Sequence, residues 1–361
     1  MLLQGIFPPI TTPFYPADGE VYFKKLEHNV AQMSKTPVAG IVVLGSTGEA
    51  VMLSDDETRE VLRVARGAAE PEKVLIAGTG CESAKETIAL SEYAAQLGYD
   101  VAMVRTPHYY KKLMTPGAVL NFYRAVADRS PIPIVIYNFP PCTGYDIPAE
   151  VVIELADHPN LIGIKESSGD LEKVGRMVQE TRKVKRTAEV TEIFNAVTGR
   201  MKAATTGVAM GSDMIEAAAL IGASQSASTA TLAAPPKLAP PKLKMRTKEV
   251  GFQVMVGSAD KLLPALELGA VGAILAFADC APTACYEIYA AWKEGNASLA
   301  REKQERIVGP VRKVLGEFSI PGIKYAMDLN GYYGGPPRLP LLPLLAEQKR
   351  EVEQLMSDLK N

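Results

Sequence analysis

The chain has 361 residues, 47% of them hydrophobic, enough to bury a large core as one big domain or two ordinary ones. Lysine and arginine total 39 against 41 aspartates and glutamates, so the formal charge of −2 gives no electrostatic reason to expect nucleic acid or an anionic membrane as partner; a small molecule is the default. Four cysteines without a C-x-x-C pair fit a reducing compartment, and the opening "MLLQGIFPPITTPF" lacks the basic and long apolar regions of an export signal, so a soluble, cytoplasmic protein with no membrane span is expected.

In chain order, short apolar runs recur, most followed by a helix-like segment. The first is "GIFPPITT" (5–12), then "GIVVLG" (40–45), "VLIAGTG" (74–80), "DVAMVRTP" (100–107), "IPIVIYN" (132–138) and "LIGIKESS" (161–168), with "FQVMVGS" (252–258) and "AVGAILAFA" (270–278) later. Continuous rather than alternating apolarity predicts strands buried on both faces, as in a parallel sheet. The helices between them carry their own punctuation. Ser54 with Glu57 and Ser83 with Glu86 make S-x-x-E capping boxes, Gly98 is a stop signal, and Thr115 before Pro116 reads as a cap with proline at N1. Eight βα units in order predict an α/β fold of the (β/α)8 TIM-barrel type. An open doubly wound sheet is the structural alternative, and the count of eight argues against it.

Two regions fall outside the repeat. An insertion at 184–248 separates the sixth helix from the seventh strand, interrupting a barrel that spans 1–295, and 296–361 reads as an appended C-terminal helical layer. The insertion's first part, "TAEVTEIFNAVTGRMKAATT", is compatible with helix, and its proline-rich "AAPPKLAPPKLK" with an extended tether. Within it "GVAMGSDMIEAAALIGA" loosely echoes "VMVGSADKLLPALELGA", either a decayed duplication or two alanine-rich βα-like pieces, and the second copy is the better barrel strand. As an αβ connection, the insertion belongs on the amino-terminal face and is expected to be catalytically silent.

Barrel chemistry sits at the carboxyl ends of the strands. Only three histidines occur, scattered and without ligand spacing, so neither a metal site nor a Ser-His-Asp set is built from them, and "GSTGE" is no Walker loop because no G-K-[ST] follows. Lys165 ends the run "LIGIK", where burial favours the neutral amine that attacks a carbonyl. Tyr137 ends the preceding strand, and its phenol beside that amine suits proton transfer. Taken alone, Lys165 is more readily an ordinary lysine leaving a strand, and Tyr137 as readily a core-capping tyrosine with a wet hydroxyl. Their occurrence at consecutive strand ends is what points to chemistry.

The pieces "GIFPPITTPF", "GSTGE", "TPHYY", "YNFPPCTG", "GIKESSGD" and "GSAD", in this order, resemble the dihydrodipicolinate synthase and N-acetylneuraminate lyase superfamily of Schiff-base lyases. The resemblance implies a cofactor-free enzyme in which Lys165 forms an imine with a 2-oxo acid such as pyruvate while Tyr137 relays protons. It also implies that Thr47 hydrogen-bonds Tyr137, and that Tyr109, rather than Tyr110, reaches into a neighbouring subunit of a homo-oligomer, a dimer or tetramer. Ser46, Thr47, Ser167 and Gly257 are the implied substrate-binding residues. Without the resemblance, a plain tight turn is the commoner reading of "GSTGE", and Ser167 reads as readily as part of a helix cap with Asp170.

Among the branches, the whole-chain likeness, which includes the closing "IPGIKYAMDLNGYYGGPPR", leans toward 4-hydroxy-2-oxoglutarate aldolases, which release pyruvate and glyoxylate. The closing motif, far from the barrel strands, speaks for lineage more than for chemistry. The synthases that join pyruvate to aspartate semialdehyde, and related 2-oxo acid dehydratases, are the alternative; a catalytically inactive ligand-binding barrel is the non-enzyme reading. Two positions depart from the family pattern. Cys142 stands where the synthases carry an arginine for the second substrate's carboxylate, and Asp279 stands where relatives commonly have asparagine.

Overall fold

The computed structural model describes residues 1–206 and 243–359. Ten strands are present among them: β1 (Gly5–Phe7), β2 (Gly40–Val43), β3 (Val74–Gly78), β4 (Val101–Arg105), β5 (Ile134–Asn138), β6 (Leu161–Glu166), β7 (Arg186–Thr191), β8 (Met245–Val250), β9 (Gln253–Val256) and β10 (Gly272–Ile274). Eight form one parallel sheet in the order β1-β10-β9-β6-β5-β4-β3-β2. The sheet closes on itself. Ala39 N–H donates to Ile6 O at 2.9 Å, Val42 N–H to Pro8 O at 2.9 Å and Ile10 N–H to Val42 O at 3.0 Å, joining β1 to β2 and excluding the open sheet. All eight runs read from the sequence are barrel strands.

Because side chains alternate along a strand, each strand feeds two cores. One set fills the lumen, with Phe7, Val42, Ile76, Met103, Val135, Tyr137, Met255 and Ile274 in contact. The other set packs outward against the helices. Those helices start where their caps say: Ser54 and Glu57 make a reciprocal box, Ser83 and Thr115 accept from the third helical N–H, and Gly98 ends its helix in the left-handed region. Helices Ala297–Pro310, Ser319–Leu329 and Ala346–Met356 form the C-terminal layer. Among the described residues no helix is long and apolar enough to cross a membrane.

The insertion departs from expectation. Its first part is not one helix: β7 pairs antiparallel with β8, Phe194 turns the chain at φ 63°, and helix begins only at Gly199. The segment "TAEVT" alternates buried and exposed residues, a period of two that belongs to a strand. The internal echo and most of the proline-rich stretch lie outside the described residues.

The described part of the insertion covers the amino-terminal end of the barrel. Arg186 donates to the carbonyls of Leu161, Ala156 and His158 just ahead of and at the start of β6, Thr198 to Pro71 O ahead of β3, and Arg200 to Ala69 O and Lys73 O. Leu2 packs on Ala188 and Val190. Arg186 and Val250 are paired across the ribbon, so the chain enters and leaves within one strand spacing. Replacing residues 187–249 by a short Gly-Ser link should therefore change single-turnover catalysis by less than about twofold, since it touches the face opposite the chemistry. A lowered melting temperature from exposing Leu2 should accompany it, and a large rate loss in a folded, assembled variant would place the insertion in the active site.

Candidate active site

Lys165 sits one residue before the end of β6, in register with Tyr137 on β5 and with Met255 on β9, both of which face the lumen. Its side chain is therefore delivered into the barrel mouth; only 4% of the residue is exposed. The ammonium nitrogen lies 4.2 Å from the centroid of the Tyr137 ring. Burial lowers the Lys165 pKa to about 7, and negative charge on Asp279 or Cys142, when either ionises, pulls the other way. At neutral pH a substantial fraction is thus the free amine. Burial also pushes the Tyr137 phenol well up, with the Ser46 hydroxyl pulling the other way.

The hydroxyl of Ser46 lies 3.3 Å from the Tyr137 hydroxyl. Here the expectation for Thr47 is corrected, because Ser46 and not Thr47 is the partner of Tyr137. The two residues occupy one 3₁₀ turn, Ser46–Gly48, in which neighbours point about 120° apart, so only one can meet a phenol from across the lumen. Thr47 is buried beside it.

Ser167 and Gly257 complete the mouth. A Cβ on Gly257 would fall 2.0 Å from Ser167 Oγ and 3.4 Å from Lys165 Cε, so the position admits only glycine if both side chains keep their places. The Ser167 hydroxyl is buried without a hydrogen-bond partner among the described residues. Tyr109 is 75% exposed, packed edge-on against Tyr110, away from Lys165 within its own chain. Its loop is nonetheless fixed, since Glu82 accepts from the N–H groups of His108 and Tyr109 at 2.9 Å and pairs with Arg105 at 2.9 Å. Cys142 lies on the exposed rim, where partial burial pushes its thiol up and a positive charge on Lys165 pulls the other way.

What holds these residues lies deeper. Glu166, fully buried, accepts from both the Asn138 amide and the Ser168 N–H and pairs with Lys173 at 3.1 Å, which ties the ends of β5 and β6 together. On the other side, Glu49 of "GSTGE" meets Lys324 at 2.5 Å, both side chains at zero exposure. Lys324 also donates to Thr12 O and Pro336 O, and Arg338 N–H donates to the second oxygen of Glu49. Lys324 and Arg338 lie 4.4 Å from the Phe14 ring centroid. The closing motif, a mark of lineage in the sequence, is thus structural support for the turn that carries Ser46 and Thr47. A lysine and an arginine inside an apolar helical stretch and its glycine-rich tail were the available signal. Asp279 is fully buried in the turn after β10, and neither carboxylate oxygen has a hydrogen-bond partner.

The sequence model of the dihydrodipicolinate synthetase family matches residues 2–188 and 241–359, leaving out most of the insertion. A 4-hydroxy-tetrahydrodipicolinate synthase from Methanothrix thermoacetophila is 30% identical over 361 residues, covering 99% of this chain and 98% of the relative. A probable mitochondrial 4-hydroxy-2-oxoglutarate aldolase from Emericella nidulans is 40% identical over 184 residues, covering 50% of this chain and 59% of that protein. Among solved structures, a dihydrodipicolinate synthase from Bacillus anthracis superposes with a TM-score of 0.76 at 22% identity, covering 99% of each chain, which speaks to the fold.

Two outcomes follow from the geometry. Lys324→Met strands the buried Glu49 carboxylate and should cost about 3–5 kcal/mol in urea unfolding; a loss below about 1 kcal/mol would show that the pair is not what holds the turn. Labelling of Lys165 by a small carbonyl compound and borohydride should fall about tenfold per unit as the pH drops below about 7, because only the free amine attacks. A profile that already falls as the pH drops below about 10 would show an ordinary, solvated lysine.

Proposed function

The chain belongs to the dihydrodipicolinate synthetase family, and from that premise we propose that it is a class I lyase whose Lys165 forms a Schiff base with a 2-oxo acid, pyruvate being the fragment made or consumed. The observation that carries the reading is the buried, near-neutral Lys165 amine against the Tyr137 ring, with the Ser46 hydroxyl at the phenol.

In this scheme the amine attacks the ketone carbon, and Tyr137 shuttles the proton that converts the carbinolamine into iminium and water. The iminium is the electron sink. It stabilises the enamine left when the C3–C4 bond breaks, or formed before that bond is made. The substrate carboxylate sits on the turn of Ser46 and Thr47, whose N–H groups suit an anion, and the Ser167 hydroxyl meets the distal part in the space Gly257 leaves. A homo-oligomer, a dimer or tetramer in which Tyr109 of one copy completes the relay of its neighbour, is part of the proposal; the exposed Tyr109, Tyr110 and Leu113 support it.

Of two specific reactions, the synthase reaction has the broader support and the aldolase reaction the narrower. Condensation of pyruvate with aspartate semialdehyde is supported by the relative that matches the whole chain. Cleavage of 4-hydroxy-2-oxoglutarate is supported by the relative that is 40% identical over half the chain, and by Cys142, which brings no cation for a second carboxylate.

Pyruvate followed by borohydride should inactivate the protein with the mass adduct on Lys165, and Lys165→Arg should abolish it, since a guanidinium stays protonated. An adduct on another lysine would overturn the mechanism. Measured side by side, a higher specific rate of condensation supports the synthase reading and a higher rate of cleavage the aldolase reading. In either case Cys142→Arg should raise condensation relative to cleavage by about tenfold, the worth of one paired carboxylate.

A further inference from the structure

Asp279 is the anomaly the mechanism above leaves unused. It lies at the end of the turn Ala276–Asp279, after β10, fully buried, with both carboxylate oxygens lacking a hydrogen-bond donor among the described residues. A buried carboxylate in that state is costly unless it is protonated or faces a cation. The cation available is Lys165. In the sheet order β10-β9-β6, β9 alone lies between the strand that leads into the turn of Asp279 and the strand that carries Lys165, and both side chains are buried beyond or at the carboxyl ends of those strands. Asp279 exerts the largest single charge effect on Lys165, and Lys165 is the charge that acts on Asp279.

Resting on the Schiff-base reading, we propose that Asp279 is the proton store and counter-charge of Lys165, keeping the net charge of the pocket unchanged as the iminium forms. The resting pair is a carboxylic acid and a free amine. Addition of the ketone and loss of water give an iminium, and the proton it needs is the one Asp279 gives up. The sum is acid, amine and ketone going to carboxylate, iminium and water, with no outside proton and no change in net charge, the substrate carboxylate keeping its own charge throughout. Asp279 therefore acts through Lys165, as a positioning residue that stabilises the iminium against loss of its proton.

The other titratable groups near the pair do not compete for that role. Around Lys165 stand Tyr137 and Cys142, and around Asp279 stand Cys280, Cys285 and Tyr332. Burial holds the thiols and phenols in their neutral forms, with Tyr332 pushed up to about 12.

Two measurements test the proposal. In the native protein, infrared difference spectra on adding pyruvate should show loss of a protonated carboxyl stretch, and that loss should be missing from Asp279→Asn. In the same isosteric variant the alkaline limb of turnover should move down by at least about one pH unit and turnover at pH 8 should fall about tenfold, with the KM for pyruvate changed less. A structural role alone would lower yield or stability without moving the limb. A native protein that forms no borohydride adduct on Lys165 overturns the lyase reading and this proposal with it. An adduct on Lys165 accompanied by an unchanged carboxyl band, or by a limb superimposable on the native one, overturns the role of Asp279 alone.

Discussion

The contact between Glu49 and Lys324 is the constraint on which the site depends. Two opposite charges have been taken wholly out of water, an arrangement tolerable only where the remaining lone pairs and protons are met. Thr12 O, Pro336 O and the Arg338 N–H meet them, drawing the start of the chain, the catalytic turn and the C-terminal layer onto one point. Glu49 is held at φ 54° and Leu44 at φ 64°, positions that non-glycine residues rarely take, so the turn between them carries strain that the ion pair restrains. Ser46 lies inside that strained span. Its reach to Tyr137 is therefore set by Lys324, far downstream in the C-terminal layer, as much as by its own loop.

The opposite wall of the site is organised by strand register instead. Tyr137 and Lys165 are paired residues on adjacent parallel strands, so their separation follows from the sheet and needs no further device beyond the Asn138–Glu166–Lys173 bonds that stop the strand ends from fraying. One wall is rigid by hydrogen-bonded sheet and the other by buried charge. The amine, the phenol and the hydroxyl are held from different sides of the lumen, and a group placed between them is met by fixed dipoles rather than by mobile water.

This division explains what could be read in advance. Strands, caps and the Lys165–Tyr137 pair are written in neighbouring residues, where apolar runs and cap residues act over a few positions. The choice between Ser46 and Thr47 was not, because both are hydroxyls in one turn and only the turn's geometry aims one of them. The role of Lys324 was hidden by distance along the chain, and a charged residue in a helix ordinarily faces water. The strand β7 is compatible with helix in the sequence because its alternation spans so few residues beside an alanine-rich segment. Asp279 was visible as a departure from the family pattern, but its lack of any hydrogen-bond donor is a property of packing alone.

The ribbon of β7 and β8 has a consequence of another kind. Because its two strands begin and end side by side, the length of chain beyond them is decoupled from barrel closure, and the entropy of closing such a loop grows only by about 0.6 kcal/mol for each doubling. Natural drift can therefore lengthen or shorten this segment at little thermodynamic penalty, while the same change at the mouth would disturb the turn that carries Ser46. The floor of the barrel is where the lineage is free to vary in size, and where a fused reporter or tether can be grafted with the register of the catalytic strands intact.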